Sequence, residues 1–397
     1  MCKMFNKRII PILIVIFVDI VGFGFILPLL PFYAKIFGAN ATTIGFLFAS
    51  YSFAQFLAVP IFGKISDIYG RKSALIISTI GDFIGFLMFG LASSIFMLFV
   101  GRIISGLTGS NYAVAQAYIS DVTSEEERSK SFGLLGATFG LGFVIGPFLG
   151  GVLSIWGIST PALVAAGVSF FNLIAIYLFL PESLKRGTNT IESRISLIPD
   201  ISPILQSKKL IALFSIDAVF GFAFIIFQAT FSLYSQYRFD LSAQMIGYMF
   251  AYIGILIVLV QGYLVGRLLE VFQERPLIFA STVLMTLSLL GWAFTQNIIM
   301  LLLILIPLSL AGGIYEIIIS SLLSKSVEKN KVGEILGISS SIDTLARIIA
   351  PVLGGFLFQF FGTSAPGIFA TILTLGILTF IIKVRWVTEC KKEYRYF

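Results

Sequence analysis

The chain has 397 residues, 57% of them hydrophobic and 12% charged, about half the charged content of a typical soluble domain. Histidine is absent, and the only cysteines, Cys2 and Cys390, lie at the two chain ends. A His/Cys metal centre and a Ser-His-Asp nucleophile are therefore excluded, no cofactor or metal is implied, and any proton carrier must be a carboxylate.

Apolar stretches of about 20 residues, each able at ~1.5 Å per residue to cross a ~30 Å hydrocarbon core, recur along the length. They fall at 9–33, 42–63, 73–94, 96–119, 131–154, 160–180, 209–235, 244–266, 276–295, 298–321, 333–358 and 364–384. Rich in Leu, Ile, Phe and Gly and lacking polar alternation, they predict an all-α integral membrane protein of twelve transmembrane helices rather than a barrel. The first stretch carries an acid and no small-residue cleavage site, so it reads as a retained span and not a signal peptide. The cysteines fall outside the spans, and no disulfide is expected.

The net charge of +7 is unevenly distributed. With the N-terminus cytoplasmic, Lys35 and Arg238 lie outside, Arg102 and Arg347 lie within spans, and every other Lys and Arg falls on the inner side. This positive-inside pattern places both termini in the cytoplasm. It accounts for the basic excess through topology and attraction to anionic lipid headgroups, without nucleic acid.

The longest internal polar interval, Pro181 to Lys209, divides the chain. We expect an N-terminal six-helix bundle over 1–180, a cytoplasmic loop over 181–209 and a C-terminal six-helix bundle over 210–397. The halves are pseudo-symmetric. GLLGATFGLGFVIGPFLGG (133–151) and GISSSIDTLARIIAPVLGG (337–355) share the opening Gly and the closing Pro-x-Leu-Gly-Gly, and a fainter echo pairs GKISD at Gly63 with GYLVGR at Gly262. Two such bundles would place a cavity where they meet, near the bilayer midplane.

The loop GKISDIYGRK, with Gly63, Asp67, Gly70, Arg71 and Lys72, resembles the signature between the second and third spans of the major facilitator superfamily. VDIVGFGFILPLLP, GRIISGLTGSNYAVAQAYISD and GLGFVIGPFLGG narrow the resemblance to the twelve-span drug/proton antiporters and, within them, to tetracycline exporters. In that family the loop latches the two halves on the inner side. The resemblance implies that Asp67 caps the start of the eleventh span near Gly333 to Gly337, and Asp121 is placed to pair with Arg71. Mere topology-setting charge would explain Arg71 and Lys72 but not Asp67 and the glycines.

An acid in hydrocarbon costs about 2.5–3.5 kcal/mol on insertion scales, so each one within a span is a functional candidate. Asp19 and Asp82 lie roughly 14 Å into the first and third spans, near the midplane. Asp19 matches the acidic first-span motif of the antiporters and Asp82 a third-span acid of tetracycline exporters; the alternative for each is a carboxyl bonding a neighbouring helix. Arg102, in the fourth span, matches an arginine linked to proton transfer in the family, with a static partner of one acid as the other reading. Gly142, Gly146, Pro147, Gly150 and Gly151 form the family's antiporter motif, a bend and close packing face that favours efflux.

In the second half, Asp343 and Arg347 stand at i and i+4 and form an expected intramembrane pair. Asp217 and Glu316 carry no assignment. Tetracycline exporters have an acid in the ninth span, which LIFASTVLMTLSLLGWAF lacks. Gln55, Asn111, Gln116, Gln228 and Tyr234 have polar handles suited to a substrate cavity. The resemblance implies a monomeric, proton-coupled exporter of small amphipathic compounds, working by alternating access in a bacterial or archaeal plasma membrane. An uptake carrier of the same fold is the alternative.

Overall fold

The computed structural model describes residues 9–184, 207–328 and 331–383; both cysteines and most of the central loop lie outside the described residues. Helix occupies each of the twelve predicted stretches, and no strand occurs among the described residues. The first stretch is two helices, α1 (Ile10–Ile26) and α2 (Leu30–Ile36), bent by 45°. Pro28 sits in the break, where its missing N–H cannot continue the ladder.

α3 (Ala41–Tyr69) starts under Asn40, whose Oδ1 accepts from the Thr43 N–H at 2.8 Å. It stops at Gly70, where φ is +98° and ψ 155°, a region open almost only to glycine, and α4 (Arg71–Gly90) begins at the next residue. The fourth stretch is divided between α5 (Ile95–Thr108) and α6 (Asn111–Val122). α7 (Glu125–Leu153), capped by Ser124, carries Pro147 in its interior, and α8 (Thr160–Phe179) follows.

Next come α9 (Lys208–Phe239) and α10 (Ala243–Leu259). A π-helical turn at Val260–Leu264 joins α10 to α11 (Val265–Val271). α12 (Glu274–Ala293), α13 (Ile298–Ser324), α14 (Val332–Phe361) and α15 (Ala365–Lys383) complete the described chain. Among the described residues ten helices are long and apolar enough to span a membrane, with α10, the π-helical turn and α11 taken as one, or eleven with the bent pair α1–α2. α5 and α6 are each too short alone, at 14 and 12 residues.

The chain forms two compact units, residues 1–197 with 240–254, and residues 198–239 with 255–397. The first part of α10 thus belongs to the first unit. In that unit α7 packs on α1, and α4 packs on α5 and α8, around a core that includes Ile16, Leu75, Tyr118 and Leu135. In the second unit α14 packs on α9, and α12 on α13 and α15. Trp292 is fully buried there against Phe227 and Tyr234.

Candidate functional site

Asp19 projects from α1, Asp82 from α4 and Asn111 from the first turn of α6. Asn111 Nδ2 donates to Asp82 Oδ2 at 3.0 Å, and the Asp19 carboxyl interacts electrostatically with the pair. Asp82 and Asn111 are 5% and 2% exposed, while Asp19 is half-buried. Glycines on either side of Asp82 make this convergence possible. Gly81 faces Thr108, and Gly85 faces Ser105, so α4 and α5 approach too closely for side chains at either position. α5 ends at Thr108, whose carbonyl accepts from Ser78 Oγ, and the chain restarts as α6 with Asn111 beside the acids.

Hence Asn111, expected in a substrate cavity, stands on the carboxyl pair. Its Oδ1 is buried without a hydrogen-bond partner. Gln55 instead donates from Nε2 to the Gly109 carbonyl at 2.6 Å, satisfying an acceptor freed by the break between α5 and α6. Arg102 is 5% exposed, with its guanidinium 4.5 Å from the Tyr51 ring centroid and 5.8 Å from that of Phe23. A buried arginine suggests a carboxylate partner in the sequence and gives no sign of these aromatic ones; a charge over a ring face is a favourable alternative.

The antiporter-motif glycines line two sides of α7. A Cβ on Gly146 would stand 2.8 Å from Gly24 Cα, one on Gly142 2.8 Å from Ile20 Cγ2, and one on Gly150 2.6 Å from the Phe25 carbonyl. α7 is therefore pressed along the segment of α1 that begins just after Asp19. Gly151 faces the other way, against Gln244 and Gly247 of α10.

The loop signature folds into a charged cluster. Arg71 is ion-paired with Asp67, reaches Asp121 Oδ2 through Nε at 2.9 Å, and donates from Nη1 to Ser66 Oγ at 2.7 Å. Ser66 Oγ in turn donates to the Gly63 carbonyl, and Lys72 Nζ donates to the Tyr177 carbonyl. Glu182, just past α8, was missed. Its carboxylate accepts from the backbone N–H groups of Arg71 and Lys72 at 2.9 and 3.2 Å, capping the start of α4. The available signal was that Gly70 has no side chain to cap that helix, which leaves orphan donors requiring an acceptor from elsewhere.

Among the other candidates, Gln116 is exposed and Gln228 half-buried. Tyr234 is 1% exposed, its hydroxyl 2.6 Å from Thr295 Oγ1, and so belongs to the packed interior of the second unit. Asp343 and Arg347 lie one turn apart on α14 and interact at long range. The ion pairs among the described residues are Arg71–Asp67, Arg71–Asp121 and Lys325–Glu274.

Comparison with known proteins agrees with this architecture. The Major Facilitator Superfamily model matches residues 12–273 and 256–394. The class H tetracycline resistance protein of Pasteurella multocida is 34% identical over 368 residues, covering 89% of this chain and 90% of that protein. Multidrug resistance protein 2 of Bacillus subtilis (strain 168) is 29% identical over 353 residues, 87% of each. The crystal structure of the nucleoside transporter NupG superposes with a TM-score of 0.76 at 14% identity, over 95% of this chain and 98% of that one, a likeness of fold. With the family matched across both halves and a tetracycline resistance protein aligned along nearly the full length, the chain belongs to the Major Facilitator Superfamily of membrane transporters.

Proposed function

We propose that the protein is a proton-coupled exporter of small amphipathic compounds that exposes its binding site alternately to the two sides of the membrane. The observation that carries this reading is the convergence of Asp19, Asp82 and Asn111 within the spans. Two interacting carboxylates repel one another, and a proton taken up by the pair removes the repulsion. Protonation from outside then favours one conformation and release of substrate, and loss of the proton to the cytoplasm favours the other. The names of the tetracycline and multidrug resistance relatives support export, as does α7 packed on α1 through the antiporter-motif glycines.

The Arg71 cluster ties α3, α4, α6 and the segment after α8 into one block, which we assign to holding the inner ends of those helices closed for part of the cycle. With both termini cytoplasmic, one inward proton releases ~2.3 kcal/mol per 100 mV and ~1.4 kcal/mol per pH unit. At about 100 mV and half a pH unit the total is about 3 kcal/mol, which sustains roughly a hundredfold gradient of a neutral compound per proton. The test is drug uptake into everted vesicles energised by a proton gradient. Asp19→Asn abolishes it while leaving the protein in the membrane; undiminished, gradient-driven transport by that variant refutes the reading.

A further inference from the structure

One short rod joins the Asp82 carboxyl to the Arg71 cluster. α6 has 12 residues, none of them glycine or proline, and a break at Gly109 and Ser110 detaches it from α5. There the Ser110 N–H turns back to the Thr108 carbonyl at 2.7 Å, so the helical ladder does not run through. The first residue of α6, Asn111, donates to Asp82 Oδ2 at 3.0 Å, and Asp121 in its last turn accepts from Arg71 Nε at 2.9 Å. Asp82 and Arg71 both belong to α4, so α4 and α6 are cross-linked at two levels about ten residues, or ~15 Å, apart. Between the cross-links α6 buries one stripe, with Val114, Ala115, Tyr118 and Ile119 in the core of the first unit. A helix packed along a continuous stripe moves as a body.

α5 is tied to α4 in a different way. It is keyed at Gly81 and Gly85, where no side chain fits, and Ser78 Oγ donates to the Thr108 carbonyl just before the break. α5 therefore stays with α4, and the break is where α6 can turn. Asn111 stands beside that pivot and Asp121 at the far end. A tilt that shifts Asn111 slightly shifts Asp121 several times as far.

Charge sets the grip at each end. The bond from Asn111 to an ionised Asp82 is charge-assisted, and the carboxylate lies at the first turn of α6, the favourable end of the helix dipole. A proton on Asp82 removes both advantages. An acid in the last turn is disfavoured, and Asp121 is held there by Arg71 and by Ser183 Oγ, which donates to it at 2.9 Å. Arg128 Nη2 of α7 donates at 3.3 Å to the neighbouring Ser120 carbonyl. Asp82 otherwise meets Asp19 of α1. α3, α5 and α8 also pack on α4; their charged residues are Lys64 and Asp67 at the inner end, and Arg102, whose guanidinium lies over the Tyr51 ring.

We propose that α6 is a lever coupling the protonation of Asp82 to the Arg71–Asp121 ion pair. With Asp82 ionised, Asn111 is held and the ion pair is closed. A proton on Asp82 frees Asn111, α6 tilts about Gly109 and Ser110, and Asp121 leaves Arg71. Asn111 Oδ1, buried without a partner, is the acceptor open to the protonated carboxyl. Asn111 and Asp121 are thus positioning residues. As a step of transport the lever rests on the proton-coupled reading above, but the coupling itself is measured at equilibrium.

The experiment is the pH dependence of carbodiimide labelling of Asp19 and Asp82 in the full chain purified in detergent, since the reagent attacks protonated carboxyls. Coupling is reciprocal, so breaking the far ion pair eases protonation of the near acid. Asp121→Asn should raise the half-labelling pH by about one unit, a tenfold change in proton affinity, and Asp121→Glu should restore the wild-type value. Glu182→Gln removes one negative charge from the same end, but Glu182 bonds to the first turn of α4 and not to α6. Through space alone, losing a negative charge disfavours a proton, so this variant should leave the midpoint unchanged or slightly lower. A midpoint unmoved or lowered by Asp121→Asn, or raised equally by Glu182→Gln, overturns the lever. Should Asp121→Asn not fold, Ser120→Cys in a chain carrying Cys2→Ser and Cys390→Ser reads the opposite direction. Asp82→Asn, standing for the protonated acid, should speed its reaction with a water-soluble maleimide several-fold, and an unchanged rate overturns the lever. Wild-type vesicles without gradient-driven uptake would refute the export reading and leave the coupling as measured.

Discussion

Gly70 is required on two separate grounds. Its φ of +98° with ψ of 155° is a backbone conformation that a side chain strains by about 1–3 kcal/mol, and a Cβ there would run into the Glu182 carboxylate. These grounds can be separated. Gly70→Ala should lower the thermal unfolding midpoint in detergent through both strain and collision. Glu182→Ala should lower it by the loss of a helix cap, about 0.5–2 kcal/mol. The double variant then costs less than the sum, because the collision vanishes while the strain stays; strictly additive costs would show that the carboxylate does not sit over Gly70. At this scale Arg71, Asp67 and Asp121 were legible in the sequence, since opposite charges crowd the same predicted end of neighbouring spans. Glu182 was not, because its hydrogen-bond partner Arg71 stands 111 residues away and only the uncapped helix start hints at it.

Along α7 the glycines divide by what they face. Gly136 has open space around it, whereas Gly146 meets the backbone of α1 at Gly24 and Val21. Backbone cannot yield as a flexible side chain can. Gly146→Ala should therefore separate α1 from α7, destabilise the protein by about 1–3 kcal/mol and depress gradient-driven uptake in everted vesicles. Gly136→Ala should leave transport intact and, by favouring helix, stabilise by about 0.5–1 kcal/mol. Equal effects of the two substitutions, in unfolding and in transport, would remove the packing explanation for the motif. Helix existence was legible because ~20 apolar residues can cross a bilayer in few other ways. The discontinuities were less so: a hydropathy window smooths over the restart at Asn111, the bend at Pro28 and the π-helical turn at Gln261. Those irregular positions carry the polar groups. Asn111 lies on the Asp82 carboxyl and Gln261 on Glu316, so these polar groups were harder to read than the spans that hold them.

The internal repeat is realised as the same packing in each unit, with Gly150 of α7 against Phe25 of α1 and its counterpart Gly354 of α14 against Thr230 of α9. α10 departs from a simple division of the chain, because its opening residues belong to the first unit although they follow the central loop. There a Cβ on Gly247 would stand 2.5 Å from the Pro147 carbonyl and 2.7 Å from Gly151 Cα, so α7 and α10 touch backbone to backbone. Such small-residue contacts drive helix association in lipid, where apolar burial offers no advantage over the acyl chains. If the chain is cut in the central loop and expressed together as residues 1–195 and 196–397, the second fragment must supply α10 to complete the first unit. A tag on the first fragment should then retain the second through detergent purification. Gly247→Leu should reduce that recovery several-fold, whereas Gly376→Leu, at an open position on α15, should leave it unchanged. Recovery that is indifferent to Gly247→Leu would mean that the first unit closes without α10, and that the antiporter-motif glycine Gly151 holds nothing across the cut.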